Sequence, residues 1–226
     1  MNQELENVLN LLNDNFKPIS IFLYGSQARG DSRDNSDYEI GVIFDEENYA
    51  GRAKLKEIIN NKNFSIYPFK HNHFMKGDFD TPFVKSIFIN ELLLTGKTLS
   101  GEKIVENLNR PEITNLDLLQ RTQFDLGYAL SSTVVYKEGN IDTSSVLFYK
   151  SCLFGLRNLI ILETKTFPLS YKDIFDVGVK LVPDEYQQLV AHAYDVRCGT
   201  ELDGNFMYKN ISFLNQFLIP KIIERL

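Results

Sequence analysis

Two carboxylates, Asp37 and Glu39, stand one residue apart in Ser36-Asp37-Tyr38-Glu39-Ile40-Gly41-Val42-Ile43-Phe44, a run that is otherwise apolar and β-branched. On a strand, residues i and i+2 share a face, so both acids can grip one divalent cation. Oxygen donors of this kind favour Mg2+ or Mn2+ over zinc. Upstream, the apolar run Ile21-Phe22-Leu23 delivers Tyr24-Gly25-Ser26 into a turn, where backbone amides and a hydroxyl can meet phosphate oxygens. The ligand these features imply together is a nucleoside triphosphate bridged by Mg2+. A plainer reading makes Gly25 and Gly30 turn glycines and Asp31, Arg33, Asp34 and Asp37 a solvated hairpin loop. Glu39 argues against it, because strand propensity disfavours Glu inside such a run, and a residue that breaks local preference needs a reason.

Gly25-Ser26-Gln27-Ala28-Arg29-Gly30 followed by Ser36-Asp37-Tyr38-Glu39 resembles the signature of the nucleotidyltransferase superfamily related to DNA polymerase β. The likeness is greatest to its minimal bacterial and archaeal members and to the antibiotic nucleotidyltransferases, whose motif reads G-S-x-A-R-G and then S-D-x-D/E. The resemblance implies that Asp37 and Glu39 ligate Mg2+ and that Gly25 and Ser26 hold the β- and γ-phosphates. Arg29 adds charge near the phosphates or is solvated on its loop. It also implies transfer of a nucleoside monophosphate from an NTP, ATP first among them, to a hydroxyl of a small molecule or protein held in a cleft between two domains.

Active members of the family place a third carboxylate on the next strand, as metal ligand or general base. Here that strand reads Asn63-Phe64-Ser65-Ile66-Tyr67-Pro68-Phe69, with Ser65 or Tyr67 where the acid would stand. Asp78 or Asp80 could substitute only if their loop folds back. The alternative is therefore a catalytically impaired protein, antitoxin-like, that binds nucleotide or a partner on the retained fold.

The elements that must position these residues form an α+β chain: a small mixed-sheet nucleotidyltransferase domain over 1–108, then an all-α bundle over 109–226. Apolar spacing predicts a helix over 2–14, strands over 20–24, 38–45 and 64–69, a helix over 46–60, and another opened by Thr81-Pro82 and closed by Gly96. A short strand or turn over 97–101 follows. Breakers at Gly139-Asn140, Phe167-Pro168, Pro183, and Gly199 with Gly204 separate bundle helices over 113–137, 143–164, 171–181, 184–198 and 205–225. The bundle resembles the helical domains of antibiotic nucleotidyltransferases and the HEPN type. No histidine follows Arg197 or Arg157-Asn158 at the HEPN ribonuclease spacing, so ribonuclease activity is not expected.

The formal net charge is -6, against general nucleic-acid binding. No stretch is expected to span a bilayer, and the acidic, amphipathic N-terminus is unlike a signal peptide, so a cytoplasmic protein is expected. Cys152 and Cys198 are expected to be reduced core or near-core thiols. His71 and His73, alternate on a strand end, could chelate zinc, but no further ligand lies nearby. His192 and Tyr149 are expected to pack, and Lys150 to be exposed. Phe213, Leu214, Phe217, Leu218, Ile222 and Ile223 exceed what one inner helix face buries, which points to an apolar patch and a homodimer.

Overall fold

The structure is a computed structural model and describes residues 3–33, 36–78, 81, 83–200 and 212–226. The chain divides into two compact units, Met1–Pro111 and Glu112–Leu226.

In the first unit, α1 (Gln3–Phe16) buries Leu5, Val8, Leu9, Leu12 and Phe16, a single stripe at helical spacing. The sheet comprises β1 (Ser20–Tyr24), β2 (Tyr38–Phe44), β3 (Phe64–Lys70) and β4 (Lys97–Gly101). Its order is β3-β2-β1-β4, with β1 antiparallel to both neighbours and β2 parallel to β3. Every residue of β1 is buried, as expected of a strand covered on both sides. One face sends Ile21, Leu23, Ile40, Val42 and Phe44 into a core shared with α1 and with Leu55 and Ile59 of α3 (Arg52–Ile59). The other carries Phe22, Tyr24 and Ile43 toward Phe74 of α4 (His71–Met75), Ile89 and Leu92 of α5 (Lys85–Thr95), and Val105. Gly41 makes that second face possible: a Cβ there would lie 2.0 Å from the Phe22 ring. The short α2 (Gly25–Arg29) joins β1 to the loop before β2.

The second unit comprises α6 (Asn115–Lys137), α7 (Ile141–Thr164), α8 (Tyr171–Gly178), α9 (Asp184–Arg197) and α10 (Phe213–Ile223), the last wound as a π-helix over Phe213–Leu218. Capping boxes open α6 at Thr114 with Asp117 and α8 at Ser170 with Asp173. The central helix is α7, packed against α6, α8, α9 and α10.

Several expectations are corrected. The helix expected over 46–60 starts only at Arg52, because the Asp45 carboxylate accepts bonds from the Asn48 backbone N–H (2.7 Å) and side-chain amide (2.9 Å) and folds those residues into a turn. The helix expected from Thr81-Pro82 begins at Lys85; the Thr81 hydroxyl instead accepts the Phe83 N–H at 3.2 Å, and Pro82 lies outside the described residues. His71 and His73 sit on α4, not on a strand, and i, i+2 positions on a helix point apart. No group of three His, Cys, Asp or Glu suited to a metal occurs among the described residues.

The second unit brings its own corrections. At 24 residues α7 is long and apolar enough to cross a membrane, contrary to expectation, but 78% of its most apolar window is buried within the fold, as in a core helix. Cys198 is exposed, whereas Cys152 is buried. The apolar patch expected near the C-terminus is largely absorbed: Phe213, Leu214, Leu218 and Ile222 are buried, Tyr186 stacks on Phe217 at 5.3 Å, and of the six only Ile223 is exposed. The wider π-turn spreads apolar side chains around more of the helix than a regular turn does.

Candidate active site

The site is built around the junction of β1 and α2. Gly25 and Ser26 form the first turn of α2 rather than an irregular turn, and the backbone N–H groups of a first helical turn have no partner within the helix. Gly25 takes φ +73°, and a Cβ built on it would fall 1.8 Å from Glu39 Oε2. The Glu39 carboxylate therefore lies directly against the backbone of the Gly-Ser turn. This packing follows from register, since Tyr24 and Glu39 are paired across β1 and β2. Gly30, at φ +84°, closes α2 by donating its N–H to Ser26 O at 2.9 Å.

Asp37 is delivered by a tied loop. Gln27 donates its side-chain amide to Ser36 O at 3.0 Å, and the Ser36 hydroxyl accepts the Arg33 N–H at 2.8 Å. The Tyr38 N–H bonds Asn63 O at 2.8 Å, which extends the β2–β3 ladder to the residue after Asp37. Asp37 is half-buried, and none of the described residues hydrogen-bonds to or ion-pairs with its carboxylate. Asp34 lies outside the described residues.

The Arg29 guanidinium is nearly buried and bridges Asp31 and Glu91, each at 3.1 Å. It is thus not the solvated loop cation of one expectation, and its charge is shared between two carboxylates. Lys97 Nζ donates to Ala28 O, so α2 is held at its C-terminal end by β4 as well.

Beside Glu39 on β3 stands Ser65, and beside Gly41 stands Tyr67, so no carboxylate occupies the position next to Glu39. Asp78 does not fold back to supply one: it is exposed, ion-paired with Lys85 at 2.9 Å and 3.4 Å from the His73 ring nitrogen Nδ1. Asp80 lies outside the described residues.

Sequence reasoning missed three residues of this face. Tyr24 is buried beneath the turn, its ring 6.0 Å from Tyr67. Burial holds its hydroxyl well above the usual phenol range; Glu39, Tyr67 and Glu91 push the same way and Arg52 opposes them. Tyr24 is thus a neutral donor packed beside Glu39. Arg52 stacks on Tyr67 at 4.5 Å. Glu91 sits in the run Phe88-Ile89-Asn90-Glu91-Leu92 of α5, where Glu suits a helix, so its only mark in the sequence was a charge among largely apolar neighbours. Tyr24 and Arg52 carried no such signal.

A strand, a glycine-opened helix and a carboxylate at the head of the neighbouring strand make the arrangement expected of a nucleotidyltransferase. The sequence model of the polymerase β, nucleotidyltransferase family matches residues 6–98. A Methanocaldococcus jannaschii protein with the provisional name protein adenylyltransferase is 35% identical over 83 residues, which are 37% of this chain and 82% of that protein. The spectinomycin adenyltransferase AAD(9) from Enterococcus faecialis, solved with ATP and spectinomycin, shares the fold at a TM-score of 0.60 and 14% identity over 97% of each chain. The chain belongs to the polymerase β-type nucleotidyltransferase family.

Proposed function

We propose that this chain transfers a nucleoside monophosphate, AMP from ATP, to a hydroxyl of a small molecule or a protein. The observation that carries the proposal is the side-chain-free Gly25 backbone lying against the Glu39 carboxylate, with an uncommitted Asp37 two residues away. The names of the similar proteins, an archaeal protein adenylyltransferase and an antibiotic adenyltransferase, support the choice of adenylyl transfer.

Asp37 and Glu39 would hold Mg2+, or Mn2+. Both donors are carboxylate oxygens, and a site with few protein ligands suits an ion that keeps waters and phosphate oxygens in its shell. When bound, the ion neutralises charge on the reacting phosphate and on the departing pyrophosphate. The residues of the chain do the positioning. The first turn of α2 presents unpaired N–H groups and the Ser26 hydroxyl to the terminal phosphates, and Tyr24, kept neutral, stands beside Glu39 in the β1–β2 register without adding a competing charge. The Arg29 bridge to Glu91 holds α2 against α5, so that the turn keeps its place.

Ser65 beside Glu39 favours a second reading, in which the chain binds nucleotide or a partner without turnover. Pyrophosphate release from labelled ATP, with Mg2+ and a panel of hydroxyl acceptors, separates the two. Transfer predicts release that drops by about 10²-fold or more in Asp37→Ala, since charge stabilisation by a bound metal is worth several kcal/mol. Nucleotide binding without release across the panel would leave the second reading standing.

A further inference from the structure

We propose that the free edge of β3 is a docking track for an extended acidic peptide. β3 ends the sheet, and its ladder with β2 is parallel, so alternate residues turn their backbone groups toward and away from β2. The bond from Tyr38 N–H to Asn63 O faces Asn63 inward. Ser65 and Tyr67 then bond β2, while Phe64, Ile66 and Pro68 face outward. The Phe64 N–H is taken by Asn61 O at 3.2 Å, and Pro68 has none. The Phe64 C=O and both backbone groups of Ile66 have no partner among the described residues. The N–H and C=O of one outward residue are the pair that an incoming antiparallel strand exchanges.

The chemistry of the partner follows from what lies beside this edge. A groove of about 570 Å³ runs between α3 and β3, with Ile59, Phe64 and Ile66 as apolar lining and the exposed Arg52, Lys56 and Lys62 as cations. Among the described residues no carboxylate lines it, in a chain whose net charge is -6. Edge strands commonly carry Lys and Pro simply to block pairing, and Pro68 and Lys70 do so for the second half of β3. That device does not account for Lys56, which comes from α3 and flanks the half of the edge left open, as does Arg52 of the same helix while it stacks on Tyr67. An open row of backbone groups is complementary to another backbone rather than to nucleic-acid phosphates. Ser65 lines the groove and is the register neighbour of Glu39, so a docked peptide would lie one strand beyond the candidate active site, with strands ~4.8 Å apart. Docking here requires no nucleotide and does not depend on the transfer reaction.

The test is fluorescence anisotropy of a labelled peptide of alternating Glu and Val with the full chain and no nucleotide present. Saturable binding is expected, weakened ten-fold or more by Lys56→Glu with Lys62→Glu. These two exposed positions leave the core intact, which circular dichroism of the variant checks. N-methylation of alternate peptide nitrogens, which keeps the charge and removes the pairing donors, should weaken binding similarly. The proposal is overturned by no binding, by binding indifferent to the charge reversal or to N-methylation, or by preference for a single-stranded RNA oligomer. Loss of nucleotidyl transfer with peptide binding intact would instead count against the proposed reaction alone.

Discussion

At the scale of single residues, Gly25 and Gly30 separate two effects that usually travel together. Both have positive φ, which any L side chain resists at a cost of about 1 kcal/mol. Only at Gly25 does a Cβ collide with a functional group, the Glu39 carboxylate, whereas nothing lies within 4 Å at Gly30. Gly25→Ala and Gly30→Ala should therefore lose similar thermal stability, while only Gly25→Ala lowers ATP-dependent pyrophosphate release, by about 10²-fold, the usual result of displacing a reacting group by an ångström. Equal activity in the two variants would remove Glu39 from the site. The motif residues Gly25, Ser26, Asp37 and Glu39 were legible in the sequence because their types and spacing make a short-range pattern, to which Glu39 adds a departure from what its strand alone would choose. Tyr24 and Arg52 were not, because an aromatic in a strand and an arginine opening a helix satisfy local preference, and only cross-strand register brings them to Glu39.

At the scale of elements, α6 and α7 are joined by a buried polar cluster that resembles nothing in the catalytic motif. Arg121 and Asp125, both on α6 and both buried, pair at 3.1 Å, and Asn158 of α7 donates to Thr122 at 3.0 Å. Burial pushes the Asp125 carboxyl up from its ordinary value, and Arg121 and the buried Arg157 pull it back. Asp125→Asn keeps the shape but leaves two buried guanidinium groups without their carboxylate. Urea unfolding should show a loss of about 3–5 kcal/mol, the typical cost of breaking a buried pair from one side. A loss far below that range would mean that water reaches the cluster. The bundle helices were readable from apolar period and breakers, but the register of α6 on α7 was not, because Thr122, Asp125 and Asn158 read as surface residues until the partner helix covers them. The start of α3 was misread for the converse reason: a local Asp45–Asn48 turn outcompetes helix formation in a segment whose composition permits both.

At the scale of the whole molecule, the first unit has core clusters built from its own residues. Both faces of the sheet are covered by helices of the first unit itself, and the family model matches residues 6–98, all of them within that unit. A fragment of residues 1–111 should accordingly fold by itself and unfold in a single cooperative thermal transition with near-ultraviolet circular dichroism intact. A non-cooperative melt would show that its core depends on the rest of the chain. The acidic balance read from composition is likewise a property of the whole that conceals a local exception, the cationic groove along β3, because net charge carries no information about which residues a fold gathers.

Sequence alone determined the family and the order of the longer strands and helices, though not the short α2 and α4, and it singled out Asp37 and Glu39 as the candidate carboxylate pair, because these rest on short-range pattern: period, turn chemistry and residues out of keeping with their element. It also determined that the strand after the pair lacks an acid. Only the tertiary structure decided that Ser65 is the residue beside Glu39, that Glu39 lies against Gly25, that Arg29 is engaged by Asp31 and Glu91, and that β3 presents an open edge. Each of these depends on strand pairing and helix packing between residues distant in sequence, and a one-residue slip in register would send every side chain of the strand to the opposite face.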